Sequence, residues 1–299
     1  MTPGAIAVLL LDLSPVPAAL LAAVLLAPAP ARAAGAFVPA AAVRAQAFPS
    51  AARILGSTPD PLDDLALGGE DLRDALAAAP STEWLMAGLR SPDLERRLET
   101  VREARGVQAV PHLTGLLLRL DEPPRVRAAA ALSLGRIGDE IAVPALALAL
   151  QDPSPEVRYA AALSLGGLPT DGVATRLERV LARDPAWQAR YAAAIALGRA
   201  GKGFSVSALA DAVTADPAWQ VRQQAARSLQ DFRTPRAAAA LARALEDPEP
   251  SVRAAAGSAL AALGGRGNLR LLSRALRVEA VPAVRAVLAA AERSAFERR

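Results

Sequence analysis

The chain has 299 residues, no cysteine and a formal net charge of +4. That composition excludes disulfides, thiolate metal sites and cysteine nucleophiles, and it gives only a weak pull toward nucleic acid or acidic lipid. Hydrophobic residues reach 53% while aromatics stay at 3%, so Ala and Leu must fill the core, which suits tightly packed helices and not sheets.

Residues 1–33 carry apolar runs at 5–11 and 18–27 and close on the small-x-small triplet Ala31-Arg32-Ala33. The pattern predicts a secretory signal peptide or an N-terminal anchor, and with it an exported, periplasmic or extracellular protein; a cytoplasmic one is expected if the segment is not a signal. Asp12, Pro15 and Pro17 interrupt the apolar stretch and argue against a single spanning helix. Residues 34–68 are rich in Ala and Pro, turn acidic at Asp60, Asp63 and Asp64, and read as a linker. A repeat domain is expected over 69–299, with a short helical pattern at 70–79 and a helix start near Ser81.

From residue 81 one unit recurs every 31 or 32 residues. Its marker is the pair Val126-Arg127, Val157-Arg158, Val221-Arg222, Val252-Arg253 and Val284-Arg285, with Ala189-Arg190 filling the gap. Counting from each Arg, position −6 holds Asp121, Asp152, Asp184, Asp216, Asp247 and Glu279. Position +3 is Ala130, Ala161, Ala193, Ala225 and Ala256, and +7 is Leu134, Leu165, Leu197, Leu229 and Leu260. Offsets −1, +3, +7 and +10 share one helix face. A second column, Leu113, Leu146, Leu177, Leu209, Leu241 and Leu272, marks a preceding helix. Each unit is thus helix A, an Asp-Pro turn, helix B and a glycine turn, with Gly at +8 or +11 expected to stop helix B. Arg96, 31 residues before Arg127, marks a degenerate first repeat. About seven units result, at 81–106, 107–138, 139–169, 170–201, 202–233, 234–264 and 265–298. A fixed period of this size predicts an all-α solenoid.

The motif Asp-Pro-x-x-x-Val-Arg-x-x-Ala-x-x-x-Leu-Gly, as in Asp152-Pro153, Val157-Arg158, Ala161 and Leu165-Gly166, resembles the HEAT-like repeat of phycobilin lyase subunits over residues 81–298. The resemblance implies a right-handed, armadillo-like α-solenoid. It implies little about function, because such repeats serve scaffolds, bilin lyases, deoxyhypusine hydroxylases and a group of DNA glycosylases. The hydroxylases bind iron through paired His-Glu motifs. Here His112 is the only histidine and Leu113 follows it, which sets that activity aside.

The two charged columns predict a structural ladder. Arg127, Arg158, Arg190, Arg222 and Arg253 would pair with Asp121, Asp152, Asp184, Asp216 and Asp247 of their own or the next turn. An anion-binding groove is the alternative. The aromatics point elsewhere. Trp187 and Trp219 share offset −3, and Tyr159 and Tyr191 share +1. Offsets −3, +1 and +5 form an i, i+4, i+8 stripe turned away from the core. It is expected on the exposed, concave side of helix B. Repeats 3–5 would then present Tyr159, Leu163, Trp187, Tyr191, Ile195 and Trp219 as one patch, rimmed by Gln188, Gln220, Gln223 and Arg227. Clustered aromatics within a polar rim are what a protein-interaction hot spot uses. Two alternatives stay open: Trp at −3 packs across neighbouring turns, or residues 34–68 fold back over the patch.

No phosphate loop, Ser-His-Asp set or paired-carboxylate motif stands out, and no cofactor or metal is indicated. The chain therefore reads as a non-enzymatic scaffold for a protein or peptide partner. Bilin lyase-like handling of a chromophore or small molecule is the alternative. Nucleic acid is not expected as a partner, and membrane contact is expected only through the N-terminal anchor.

Overall fold

The computed structural model of the protein describes residues 81–168, 172–201 and 205–297. The signal-like segment, the linker and the 70–79 pattern lie outside the described residues. Fourteen α-helices occupy the described residues, in seven pairs. They are α1 (Thr82–Leu89) with α2 (Leu94–Glu103), α3 (Val110–Leu118) with α4 (Pro124–Ile137), α5 (Val143–Ala149) with α6 (Pro155–Leu165), and α7 (Ala174–Arg183) with α8 (Trp187–Ala200). The series continues with α9 (Val206–Ala215) and α10 (Trp219–Ser228), α11 (Pro235–Ala244) and α12 (Pro250–Leu263), and α13 (Arg266–Val278) and α14 (Pro282–Glu297). Odd-numbered helices are helix A of each repeat and even-numbered ones helix B.

Local chemistry explains the helix ends. The Ser81 side chain accepts the Trp84 N–H at 3.2 Å and starts α1, and Asp93 does the same for α2 through the Glu95 N–H. Proline opens α4, α6, α12 and α14, where its missing N–H costs nothing and its φ is already helical. Gly138 and Gly201 end α4 and α8 at φ 76° and 63°, a conformation that a side chain resists.

The leucine columns meet in one continuous core. Leu113, Leu146, Leu177, Leu209, Leu241 and Leu272 of the A helices are fully buried. So are Leu134, Leu165, Leu197, Leu229 and Leu260 of the B helices. Each such side chain contributes about 1.5–3 kcal/mol of transfer free energy.

The +8 glycines do something other than stop helices. Gly135 and Gly198 lie inside α4 and α8, and only Gly166 sits at a helix end. Their role is close approach. A Cβ on Gly135 would stand 2.5 Å from Ser164 Cβ, and one on Gly198 would stand 2.6 Å from Ser228 Oγ. At Gly166 the neighbour is the Ala196 Cα, 2.8 Å away. The two serines opposite these glycines donate across the same contact, Ser164 to the Ala131 carbonyl and Ser228 to that of Ala194, each at 2.8 Å, and Ser133 at the same offset donates to the Val101 carbonyl at 2.7 Å. Gly, Ser and Ala thus form a spine along which successive B helices nearly touch backbones. Most successive A helices meet far less extensively.

This spine reverses the usual sign of a glycine substitution. In an open helix Gly→Ala gains about 0.5–1 kcal/mol. Gly115, exposed in α3 with nothing near its missing Cβ, should show that gain as a higher melting temperature. Gly135→Ala should instead lower stability by about 1–3 kcal/mol, through overpacking against Ser164.

Candidate binding face on the helix B layer

The arginine ladder sits at the turns where each helix B begins. Arg127 binds Asp152 through two hydrogen bonds, at 3.0 and 2.8 Å, with both side chains buried. Arg158 binds Asp184, Arg190 binds Asp216, Arg222 binds Asp247 and Arg253 binds Glu279 in the same forked manner, at 2.7–2.9 Å. Every arginine therefore reaches forward, to the carboxylate of the next repeat. Its remaining Nη1 turns back: Arg158 donates to the Asp152 carbonyl at 2.9 Å, and Arg190 to that of Asp184 at 2.8 Å. The carboxylates have a second duty, accepting the N–H two residues on, as Asp184 does from Ala186 and Asp216 from Ala218. One rung thus fixes a turn, caps the next helix B and joins two repeats. Guanidinium groups saturated in this way are not presented as an anion-binding groove.

The first rung departs from the sequence register. Arg97, not Arg96, makes the turn-carbonyl bonds to Ser91 and Pro92. Its ion-pair partner is Glu122 at 3.4 Å, while Asp121 stays exposed and pairs with Arg119. The cause is the turn Asp121-Glu122-Pro123-Pro124. It puts the inward carboxylate one residue nearer the helix than Asp152 is to α6, and the longer glutamate side chain covers the difference. At the other end Arg285 finds no further turn, and both its Nε and Nη2 donate to the Glu279 carbonyl.

On the outer face of the same helix starts stand the aromatics. Trp187 and Trp219 are the first residues of α8 and α10, where α4, α6, α12 and α14 have proline. They remain 37% and 39% exposed. Trp187 packs edge-on against Tyr191 one turn later, with ring centroids 6.4 Å apart and planes at 84°. Tyr159, Tyr191 and Ile195 are half-buried, as are Gln188, Gln220 and Gln223, and Arg227 is exposed. Gln223 donates weakly, at 3.5 Å, to the Ser251 carbonyl of the next repeat. Leu163 does not belong to the exposed patch: it is buried, as is Leu132 at the same offset. Further along the array the same offset opens up, half-buried at Ile195 and exposed at Arg227. The patch is therefore narrower than the stripe on one isolated helix.

The family model of HEAT repeats matches residues 110–198 and 206–292, more than half of the chain. The chain belongs to the HEAT-repeat family. No curated protein matches it. Solved structures similar to this HEAT-repeat protein include human deoxyhypusine hydroxylase, at 23% identity over 72% of this chain and 84% of that one, with a TM-score of 0.38. The complex of CpcE and CpcF of phycocyanin lyase from Nostoc sp. PCC7120 is similar at 23% identity over 73% of this chain and 96% of that one, with a TM-score of 0.43. A designed armadillo repeat protein in complex with the peptide (KR)4 is similar at 18% identity over 62% of this chain and 98% of that one, with a TM-score of 0.45.

Elsewhere on the HEAT-repeat array, a groove of about 740 Å³ runs between α7 and α9, lined among others by Glu178, Arg179, Arg183 and Asp211. Its charges are mixed, and it reaches the ladder residues Asp184, Arg190 and Asp216, with none of the aromatics in its lining. His112 is half-buried in α3. Among the described residues no three His, Asp or Glu side chains gather as a metal site, and no helix is long and apolar enough to cross a membrane.

Two outcomes follow for the ladder. Arg190→Ala strands the buried Asp216 carboxylate and should cost about 3–5 kcal/mol in chemical denaturation, whereas Asp121→Ala should leave the midpoint unchanged. In the last rung the hydrogen bonds from Arg253 hold the Glu279 carboxyl down at about 2, against its ordinary 4.5. A depressed carboxyl contributes fully above 4.5 and loses its contribution as the pH falls toward about 2. Thermal melts between those limits should drop more steeply for the wild type than for Glu279→Gln.

Proposed function

We propose that this HEAT-repeat protein is a non-enzymatic scaffold that holds a protein or peptide partner against Trp187, Trp219, Tyr159 and Tyr191, with Gln188, Gln220, Gln223 and Arg227 orienting it. One observation carries the reading. Two successive B helices begin with a solvent-exposed tryptophan at the position where most of their siblings begin with a helix-starting proline. Folding gains little from that exchange, because proline is preorganised there and more than a third of each indole surface stays in water. Large rigid aromatics on a preformed surface lose little entropy on binding, which is why they dominate binding energy where they occur. Trp187 also packs edge-on against Tyr191 of its own helix, so the two rings form one aromatic element on that surface. The apolar start of the sequence supports an exported setting for this partner.

Crosslinking and pull-down from native cell fractions tests the reading and reports the compartment as well. The double variant Trp187→Ala, Trp219→Ala should reduce capture of the partner by at least about tenfold and shift the melting temperature by less than about 2 °C. A melt lowered by many degrees, with capture unchanged, would overturn it in favour of packing.

A further inference from the structure

We propose that copies of this protein associate head to tail, the arginine row on α13 of one copy receiving the acidic segment 60–74 of the next. The inference is independent of the aromatic face. Its starting point is an unmatched charge. The helix α13 carries Arg266, Arg270, Arg274 and Arg277 and no acidic residue. At about 100° per residue the four fall within an arc of about 80° and span about 16 Å of the helix. All four are exposed, and among the described residues none of their side chains forms a hydrogen bond or ion pair. Arginines elsewhere in the array are matched: those of the ladder hold forked carboxylates, and the exposed Arg236 on α11 pairs with Asp211 at 3.1 Å.

The neighbours of the row reinforce its sign. Arg243 on the adjacent α11 is exposed, and Arg285, at the start of α14, has only the Glu279 carbonyl where other ladder arginines hold a carboxylate. Like charges one helical turn apart repel, so α13 gains nothing from its row by itself. An anionic partner turns that repulsion into attraction. Beside the row Val278 is 78% exposed, so the face offers an apolar contact as well as charge.

The chain itself contains the complement. Residues 60–74 hold Asp60, Asp63, Asp64, Glu70, Asp71 and Asp74 against a single arginine, Arg73, with Leu62, Leu65, Leu67 and Leu72 between them. Carboxylates suit the guanidiniums, and leucines suit Val278 and the aliphatic stems of the arginines. The array's own acidic residues suit them less: ladder carboxylates are already bonded, and Glu95, Glu99 and Glu103 on α2 share their groove with Arg96 and Arg102. Segment 60–74 follows the signal-like residues 1–33, so removal of a signal leaves it in the chain. Asp74 is seven residues from Ser81, within about 25 Å of it at full extension. The row belongs to the last of seven helix pairs, six steps of about 8–10 Å from the first. That is well beyond the reach of Asp74, so the acidic run meets the row of another copy. Such a contact joins unlike surfaces of identical chains and propagates unless it closes into a ring.

Sedimentation velocity on the full-length protein, before and after nuclease treatment, tests the contact. Lowering the salt from about 500 mM to about 50 mM should raise the association constant at least about tenfold, because exposed ion pairs carry it. Arg270→Glu with Arg274→Glu should leave the protein monomeric at low salt with an unchanged melt. The triple variant Asp63→Arg, Asp64→Arg, Asp71→Arg should be monomeric too. An equimolar mixture of the two variants should associate again, since each then offers the other opposite charges. A wild type that stays monomeric at low salt, or a mixture that does not recover, overturns the proposal. Association lost in the arginine variant but kept in the aspartate variant assigns the row to a different acidic surface and overturns the choice of segment 60–74. Association that nuclease removes assigns the row to nucleic acid and overturns self-assembly.

Discussion

The forked bond from each helix B arginine to the carboxylate of the following turn is the constraint on which the array depends. A guanidinium supplies more donors than one partner can absorb. Here the surplus goes to the carbonyls of its own turn, so a single side chain ties the geometry within a repeat to the geometry between repeats. The carboxylate mirrors this by capping the next helix. Buried ion pairs of this kind add little net stability over an apolar replacement, but breaking one partner away is costly. That asymmetry suits a device for register: a repeat that slipped by one residue would break the rungs to both of its neighbours.

The rungs fix where each repeat begins, and the Gly-Ser-Ala spine fixes how closely repeats stack. Neither feature alone makes a surface. Together they hold successive B helices at a short, regular separation and bury positions such as Leu132 and Leu163 that an isolated helix would expose. Among what remains open to solvent is the first residue of α8 and of α10. At α8 and α10 this opening carries tryptophan. The structural elements thus occupy the inside and the turns, and leave a periodic outer strip whose residues are free to differ from repeat to repeat.

The ends of the array show the same logic by exception. At the first repeat the turn is compressed, Glu122 replaces the aspartate, and the rung to Arg97 is longer and less well directed than the others. At the last, Arg285 has only its own turn carbonyl. The aromatic strip lies between these two exceptions, among the repeats joined by forked rungs on both sides. Rigid presentation limits the entropy lost on binding.

Much of this was legible in the residues. The Val-Arg beat, the leucine columns and the Asp-Pro turns set the number of helix pairs and their order, because period and polarity are local properties of the chain. The pairing of Arg with a recurring carboxylate was also legible. Its direction, forward to the next repeat, was not, since own-turn and next-turn partners are equivalent in a periodic sequence. The glycines at +8 were visible as a column, and the serines at +6 formed another, but only the crossing of neighbouring helices shows that the two columns touch. For the same reason the sequence could place Leu163 on the outer stripe of its helix but could not show that it is buried in the assembled array. Spacing along one chain determines what a helix offers; which part of that offer meets water is decided by how closely the next helix approaches.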